Sequence, residues 1–340
     1  MSQNDLQRPI FVVGTPRSGT TLMAKILNRH SHIFMPGETH FFLDIYAQRG
    51  QLGELPDKDA AAKVLSRLAT LYRRYNEPAD QQRIDQILAN PALSERMRAA
   101  LDGYRNAFST FMEIQTEVEK KSRWGNNAPK DLFYVDDVLE FYPDAYFIVC
   151  IRDPRDFLKS YSGKWKVTAE SEADRLKRLY HPVVTSMLWK ASMRRVMAIR
   201  SKVSRDRLIE IPYEALVSEP EPVLRRICAF LGEVFEPEML NVTFSNSSDQ
   251  SAQPGIYAAS VASWKAQLSA EEVWIAQKLA GAEMRAFGYE AEPMQVSPLR
   301  LMRLLVSTPW ALWRALQANR ANTGPIIPYL MRRMGGLLGH

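Results

Sequence analysis

The stretch from Ile10 to Met23 constrains the fold more than any other part of this 340-residue chain. Ile10-Phe11-Val12-Val13 is a short apolar run rich in β-branched residues, the composition of a strand buried on both faces. The run stops at Gly14 and passes through Thr15, Pro16, Arg17, Ser18 and Gly19. Behind Thr20 and Thr21 a second pattern begins, with Leu22, Met23, Ile26 and Leu27 at helical spacing. A strand entering a helix through a glycine-containing turn aims several backbone N–H groups at one point, beside the positive end of the helix dipole. Such a corner binds anions, most often phosphate.

The spacing Gly14-x4-Gly19-Thr20-Thr21 approximates a P-loop, with one departure. Thr20 stands where a nucleotide-binding lysine would be, and the cation, Arg17, is inside the loop. A triphosphate–Mg²⁺ site would lack its main cation. The string from Thr15 to Thr21 resembles the 5′-phosphosulfate-binding loop of sulfotransferases. These enzymes use 3′-phosphoadenosine 5′-phosphosulfate (PAPS) as sulfuryl donor, and the likeness is to the carbohydrate and protein-tyrosine branch and its bacterial relatives. The resemblance implies an α/β, P-loop-like three-layer fold with a central parallel sheet. It also implies a hydroxyl-bearing acceptor, no required metal, and a donor whose 5′ end is held by Pro16, Arg17, Ser18, Gly19, Thr20 and Thr21.

Ile33 to Met35 reads as a second strand, ended by Pro36-Gly37. Loops after successive parallel strands open on the same edge of a sheet, so Glu38 is expected to face the anion loop. A carboxylate near a phosphosulfate, but not paired with it, is what takes a proton from an acceptor hydroxyl. In the tyrosine-protein branch a glutamate at this offset is the catalytic base, and Glu38 matches it; the alternative is a carboxylate that caps a helix. His40 either touches the acceptor and shares the proton work or is structural beside its aromatic neighbours.

Ala145 to Ile151 reads as another buried strand, followed by Arg152-Asp-Pro-Arg-Asp-Phe-Leu-Lys-Ser160. This resembles the family's 3′-phosphate site, in which an arginine at a strand end and a serine eight residues on bind the phosphate; the matches are Arg152 and Ser160. Arg207 to Glu214 reads as a further strand. Tyr213-Glu-Ala-Leu216 resembles a family signature, with Tyr213 reaching the donor or serving the core. Arg123 to Lys130 resembles a segment whose lysine points at the transferred group. Here Asn127 occupies that lysine's place, leaving Lys130 or Arg17 to supply the charge. The family's glycine-rich closing loop is absent, and Ser260, Ser263 and Lys265 are the candidates to replace it. Trp189 and Arg194-Arg195 read as structural.

Composition, at 46% hydrophobic and 24% charged, fits a globular chain with a sizeable core. Cys150 and Cys228 lie in apolar runs without a disulfide or metal pattern, and no signal-like segment opens the sequence, so a cytoplasmic setting is expected. The net charge of +6 is localised: Pro293 to His340 holds six arginines and no lysine, aspartate or glutamate. A nucleic-acid binder spreads its basic residues over a docking face, and none is expected here. Residues 43–122 read as helices over Lys58–Tyr75, Asp80–Leu88 and Leu93–Val118, either a lid over the acceptor or added scaffold. The expected organisation is therefore a catalytic domain over 1–292, with that helical insertion, and a basic helical extension over 293–340. In the extension, Leu299 to Leu316 is expected to break at Pro309, and arginine with tryptophan on short helices suits peripheral membrane contact. Packing on the domain, or on a partner in a homodimer, is the other reading. Two functions compete with sulfuryl transfer: a P-loop-like kinase, and a nucleotide-binding relative without turnover, suggested by Asn127.

Overall fold

The structure, a computed structural model, describes residues 8–75, 78–163, 179–245, 252–256 and 258–323; Arg332 and Arg333 of the basic tail lie outside these. Chain order runs β1 (Ile10–Gly14), α1 (Thr20–Asn28) and β2 (Ile33–Phe34), then the insertion helices α2 (Lys58–Tyr75), α3 (Pro78–Ala89), α4 (Pro91–Ala99) and α5 (Tyr104–Val118). It continues through β3 (Arg123–Asn127), α6 (Val135–Phe141), β4 (Tyr146–Ile151), α7 (Pro154–Ser162), α8 (Pro182–Ile199), β5 (Leu208–Pro212), α9 (Pro220–Leu231), α10 (Ala270–Ala286) and α11 (Pro298–Thr323). Two compact units share the chain. One comprises residues 1–150, 203–211 and 221–242; the other comprises 151–202, 212–220 and 243–340.

The first unit holds the expected central parallel sheet, in strand order β2-β3-β1-β4-β5. The next two strands in sequence, β2 and β3, lie to one side of β1, while β4 and β5 lie to the other. The loop after β1 is therefore at the switch point where such sheets bind ligands. Ile10 to Val13 are fully buried, worth roughly 1.5–3 kcal/mol for each side chain. Gly14 must be glycine: a Cβ there would sit 2.3 Å from the Cys150 carbonyl oxygen.

β3 carries no apolar run, and the sequence reading does not find it. Its burial is instead secured by polar partners. Arg123, 1% exposed, donates from Nε to the Arg8 carbonyl at 2.9 Å and from Nη1 to the Leu231 carbonyl at 2.8 Å. Gly125 admits Met35 and Ile10, since a Cβ would lie 2.1 Å from the Met35 sulfur. Trp124 joins an aromatic cluster with Phe11, Phe42 and Phe108.

The insertion contributes to this core. Phe108 of α5 stacks on Phe41 at 4.3 Å between centroids, an interaction worth about 0.5–1.5 kcal/mol beyond burial. This makes α5 scaffold beneath the segment that carries Glu38. The helical reading of Leu93–Val118 is interrupted between Ala99 and Tyr104, where Gly103 is extended. Asn90 caps α4 by accepting from the Ala92 and Leu93 N–H groups, with Pro91 in the first turn. A pocket among α2–α5 is lined by Leu65, Leu68, Ile84, Ile87, Met97 and Phe111. The side chains of Leu71 and Tyr72 lie outside the described set.

In the second unit α8 packs against α7, α10 and α11. α10 opens with a capping box, the Ser269 hydroxyl and the Glu272 carboxylate each bonding the other's backbone N–H. Two sequence readings are corrected. The strand expected over Arg207–Glu214 ends at Pro212, and Tyr213 begins a short helix through Ser218, because proline lacks the N–H needed to continue the ladder. Pro309 does not break the last helix: α11 is continuous from Pro298 to Thr323. The carbonyl left without its N–H partner there is that of Leu305, an exposed residue, so water can satisfy it.

Candidate active site

The turn after β1 is built for close approach. Arg17 is left-handed at φ 76°, and Gly19, at φ 92°, is the N-cap of α1. Left-handed residues such as the two flanking Ser18 are the backbone feature from which anion-binding concavities are made. The Ser18 hydroxyl and N–H both donate to the Thr15 carbonyl, at 2.7 and 3.1 Å, which locks the turn. A non-glycine residue with positive φ costs of order 1–3 kcal/mol, so Arg17 holds strain at the place expected for the donor's 5′ end. Thr20 is buried at the helix start and Thr21 is exposed. The buried Thr15 hydroxyl oxygen has no hydrogen-bond partner, which fits a turn awaiting a polar ligand.

Glu38 lies in the same unit, after β2. It does not cap the following helix, whose N-cap is His40 at φ 51° with no side-chain cap bond. Instead the Glu38 carboxylate lies 2.9 Å from His40 Nε2, with the carboxylate partly open and the imidazole buried. Thr39, between them, donates from its hydroxyl to Asn126 Oδ1 at 2.8 Å, and Asn126 Nδ2 donates to Asp131 Oδ2 at 2.8 Å. Complete burial, with the charges of Glu38 and Asp44 adding to it, holds the Asp131 carboxyl well above the usual carboxylate range. A fully buried carboxyl thus anchors the Glu38 turn to β3. Asn127 is buried at the end of β3 with its Oδ1 unpartnered, and Lys130 is partly exposed on the turn that follows.

The residues expected at the 3′-phosphate lie in the second unit. Arg152 is the first residue beyond β4, buried, with its guanidinium 4.4 Å from the centroid of the Tyr213 ring. Nη2 donates to the Ser260 carbonyl at 3.0 Å, and the Tyr213 hydroxyl shares a 2.7 Å hydrogen bond with the Ser260 hydroxyl. Trp189 donates from Nε1 to the Arg152 carbonyl at 2.8 Å, fixing the backbone. Asp153 caps α7, accepting from the Arg155 N–H at 2.7 Å, and Ser160 is buried farther along that helix. Of the three candidates for a closing segment, only Ser260 reaches Arg152 and Tyr213. Ser263 donates to Asp156 Oδ1, and Lys265 pairs with Glu292 at 2.8 Å.

Asp156 was not singled out by the sequence. It accepts from the Ala262 N–H, the Ser263 hydroxyl and the Trp264 N–H, and so holds the turn that presents Ser260. Its place in the first turn of α7 was the available signal. Burial raises its carboxyl, against the lowering effect of those bonds. Burial likewise raises Glu214, which accepts from the Asp153 N–H and the Tyr289 hydroxyl.

His30, His32 and Glu233 bring three potential ligand atoms within 4.8 Å of one another. Both His30 nitrogens are engaged, Nδ1 accepting the His32 N–H and Nε2 lying 3.0 Å from the Val234 carbonyl, so the ring clamps two segments together.

A parallel α/β sheet with a glycine-containing turn at its switch point is the architecture of a ligand-binding α/β protein. The description "Sulfotransferase family" matches residues 9–237, and the chain belongs to that family. The nodulation protein NoeE of Sinorhizobium fredii is 25% identical over 82% of this chain and 65% of its own length. Protein-tyrosine sulfotransferase A of Caenorhabditis elegans is 25% identical over 72% of this chain and 58% of its own. The chain thus spans about three-fifths of those relatives. In fold it is similar to the sulfotransferase domain from the curacin biosynthetic pathway, with a TM-score of 0.51 at 20% identity over 84% of this chain and 99% of that one. Family membership leaves the kinase reading without support.

Proposed function

We propose that this chain is a PAPS-dependent sulfotransferase that acts on a hydroxyl acceptor of a carbohydrate, glycolipid or other small molecule. The observation that carries the reading is the strained turn at the head of α1, where left-handed Arg17 and Gly19 flank Ser18 and no P-loop lysine stands. PAPS supplies a sulfuryl group on an activated phosphate. The N–H groups of Gly19, Thr20 and Thr21 and the Arg17 guanidinium receive its 5′ end and the negative charge that grows there during transfer. Arg152 and Ser160 bind the 3′-phosphate. Tyr213 and Ser260 hold the Arg152 guanidinium at the angle this needs. Glu38 takes the acceptor's proton as its oxygen attacks sulfur in line, and His40 orients the carboxylate. Lys130 is the second cation for the leaving phosphate. No residue of this set requires a metal.

The test is PAPS-dependent release of 3′-phosphoadenosine 5′-phosphate across a panel of hydroxyl acceptors, with and without chelator. Turnover that survives chelation supports the proposal. Asn127 favours a second reading, a donor-binding relative without turnover, because an amide cannot neutralise charge on a leaving phosphate. Tight PAPS binding with no release for any acceptor would select it.

A further inference from the structure

The last helix of the second unit presents an unusual surface. Among the described residues, twelve large apolar side chains are well exposed, and seven of them lie on α11. Leu299, Met302, Val306, Trp310 and Trp313 recur at intervals of three and four, forming one outward stripe, with Leu305 beside it. Val306 is 74% exposed, Trp310 59% and Trp313 50%, and the two indoles stack at 4.6 Å between centroids. The opposite side of α11 already has its partner. Ala311 is buried, and the Ser307 hydroxyl meets His181 Nε2 at 3.1 Å on the residue preceding α8. A helix held down on one side and apolar on the other needs a second covering.

We infer that the outward face of α11 docks in the plane of an anionic lipid bilayer. Charge is the deciding observation. Arg300 and Arg303, both exposed, lie on one flank of the stripe, and no acidic residue occurs anywhere from Pro293 to His340. A second copy of this chain would set one basic helix against another. An anionic surface neutralises the arginines while its acyl boundary receives the apolar stripe. Tryptophan favours that boundary, apolar across its ring and polar at the indole N–H. α11 is not a span: no helix among the described residues is long and apolar enough to cross a membrane. The inference is independent of the donor reading, and failure of either leaves the other intact.

The experiment is flotation of the full chain with phosphatidylcholine vesicles, with and without a fraction of phosphatidylglycerol, at low and high salt. Binding should require the anionic lipid and weaken with salt. Arg300→Gln with Arg303→Gln should lower the partition roughly 30-fold, at about 1 kcal/mol for each arginine. Trp310→Ser with Trp313→Ser should lower it at least 10-fold. All four side chains are exposed, so melting temperature and PAPS binding should stay at wild-type values. Quenching of tryptophan fluorescence by brominated acyl chains reads the same contact without any variant. No partition into anionic vesicles at low salt overturns the inference, as does partition that neither pair of substitutions reduces. Self-association in sedimentation equilibrium that the tryptophan pair abolishes, without vesicle binding, assigns the face to a second copy instead.

Discussion

The carboxylate of Glu38 lies 2.9 Å from Nε2 of His40, a residue whose own backbone is left-handed at φ 51°. A partly open acid beside a buried imidazole at a strained turn has its range of orientations narrowed. Glu38→Gln preserves the shape and removes the proton acceptor. Turnover should fall by about 10²-fold or more while PAPS affinity stays within two-fold. His40→Asn should cost less, because the carboxylate stays and loses only its neighbouring ring. Wild-type turnover in Glu38→Gln would remove Glu38 from the reaction.

Stability and function should move in opposite directions at Arg17. Arg17→Gly relieves a positive φ of 76°, and the gain is partly offset by the greater freedom of glycine in the unfolded chain. Melting temperature should hold or rise slightly, and the PAPS dissociation constant should rise at least ten-fold. Retained affinity would place the 5′ end of the donor elsewhere.

At the second anion site, PAPS and its desulfated product should both raise the melting temperature, whereas the analogue lacking the 3′-phosphate should do so weakly. Arg152→Ala removes charge-assisted hydrogen bonds worth about 1.5–3 kcal/mol. It also frees the Ser260 turn, so Tyr213→Phe, which loses only the bond to Ser260, is the milder companion. Equal stabilisation by the analogues with and without the 3′-phosphate would sink the assignment.

Asp131 should leave its mark on the pH dependence of stability. Burial raises its folded pKa above the unfolded value, so the folded state keeps a proton that the unfolded chain releases. Stability from this group is full below the unfolded pKa near 3.8 and declines as pH rises from there toward the folded value, by up to about 1.4 kcal/mol per pH unit. Asp131→Asn still accepts from Asn126 and does not titrate. Its advantage in thermal melts should be small near pH 4 and grow toward neutrality. A pH-independent difference would mean that Asp131 does not titrate over that range.

Much of the frame was legible in the residues. The β1 run, the glycine-punctuated turn and the apolar spacing of α1 are local patterns whose periods belong to strand, turn and helix, as are β4 and the Asp153-Pro154 start of α7. Glu38 was singled out by its offset from the turn, and Arg152 by its place at a strand end, both through the family resemblance. β3 could not be seen this way: Arg123-Trp-Gly-Asn-Asn127 is polar, and its burial rests on hydrogen bonds to Arg8 and Leu231, more than 100 residues away, and to Asp131 on the turn that follows. Ser260 likewise meets Arg152 across 108 residues, and Thr39 beneath Glu38 meets Asn126 across 87. Pro309 reads as a break until the fold turns its side of the helix toward solvent. Sequence determined those elements whose stability comes from backbone periodicity and apolar spacing. Tertiary structure alone decided where polar groups could be buried, because each needs a partner that only the folded chain brings within hydrogen-bonding distance.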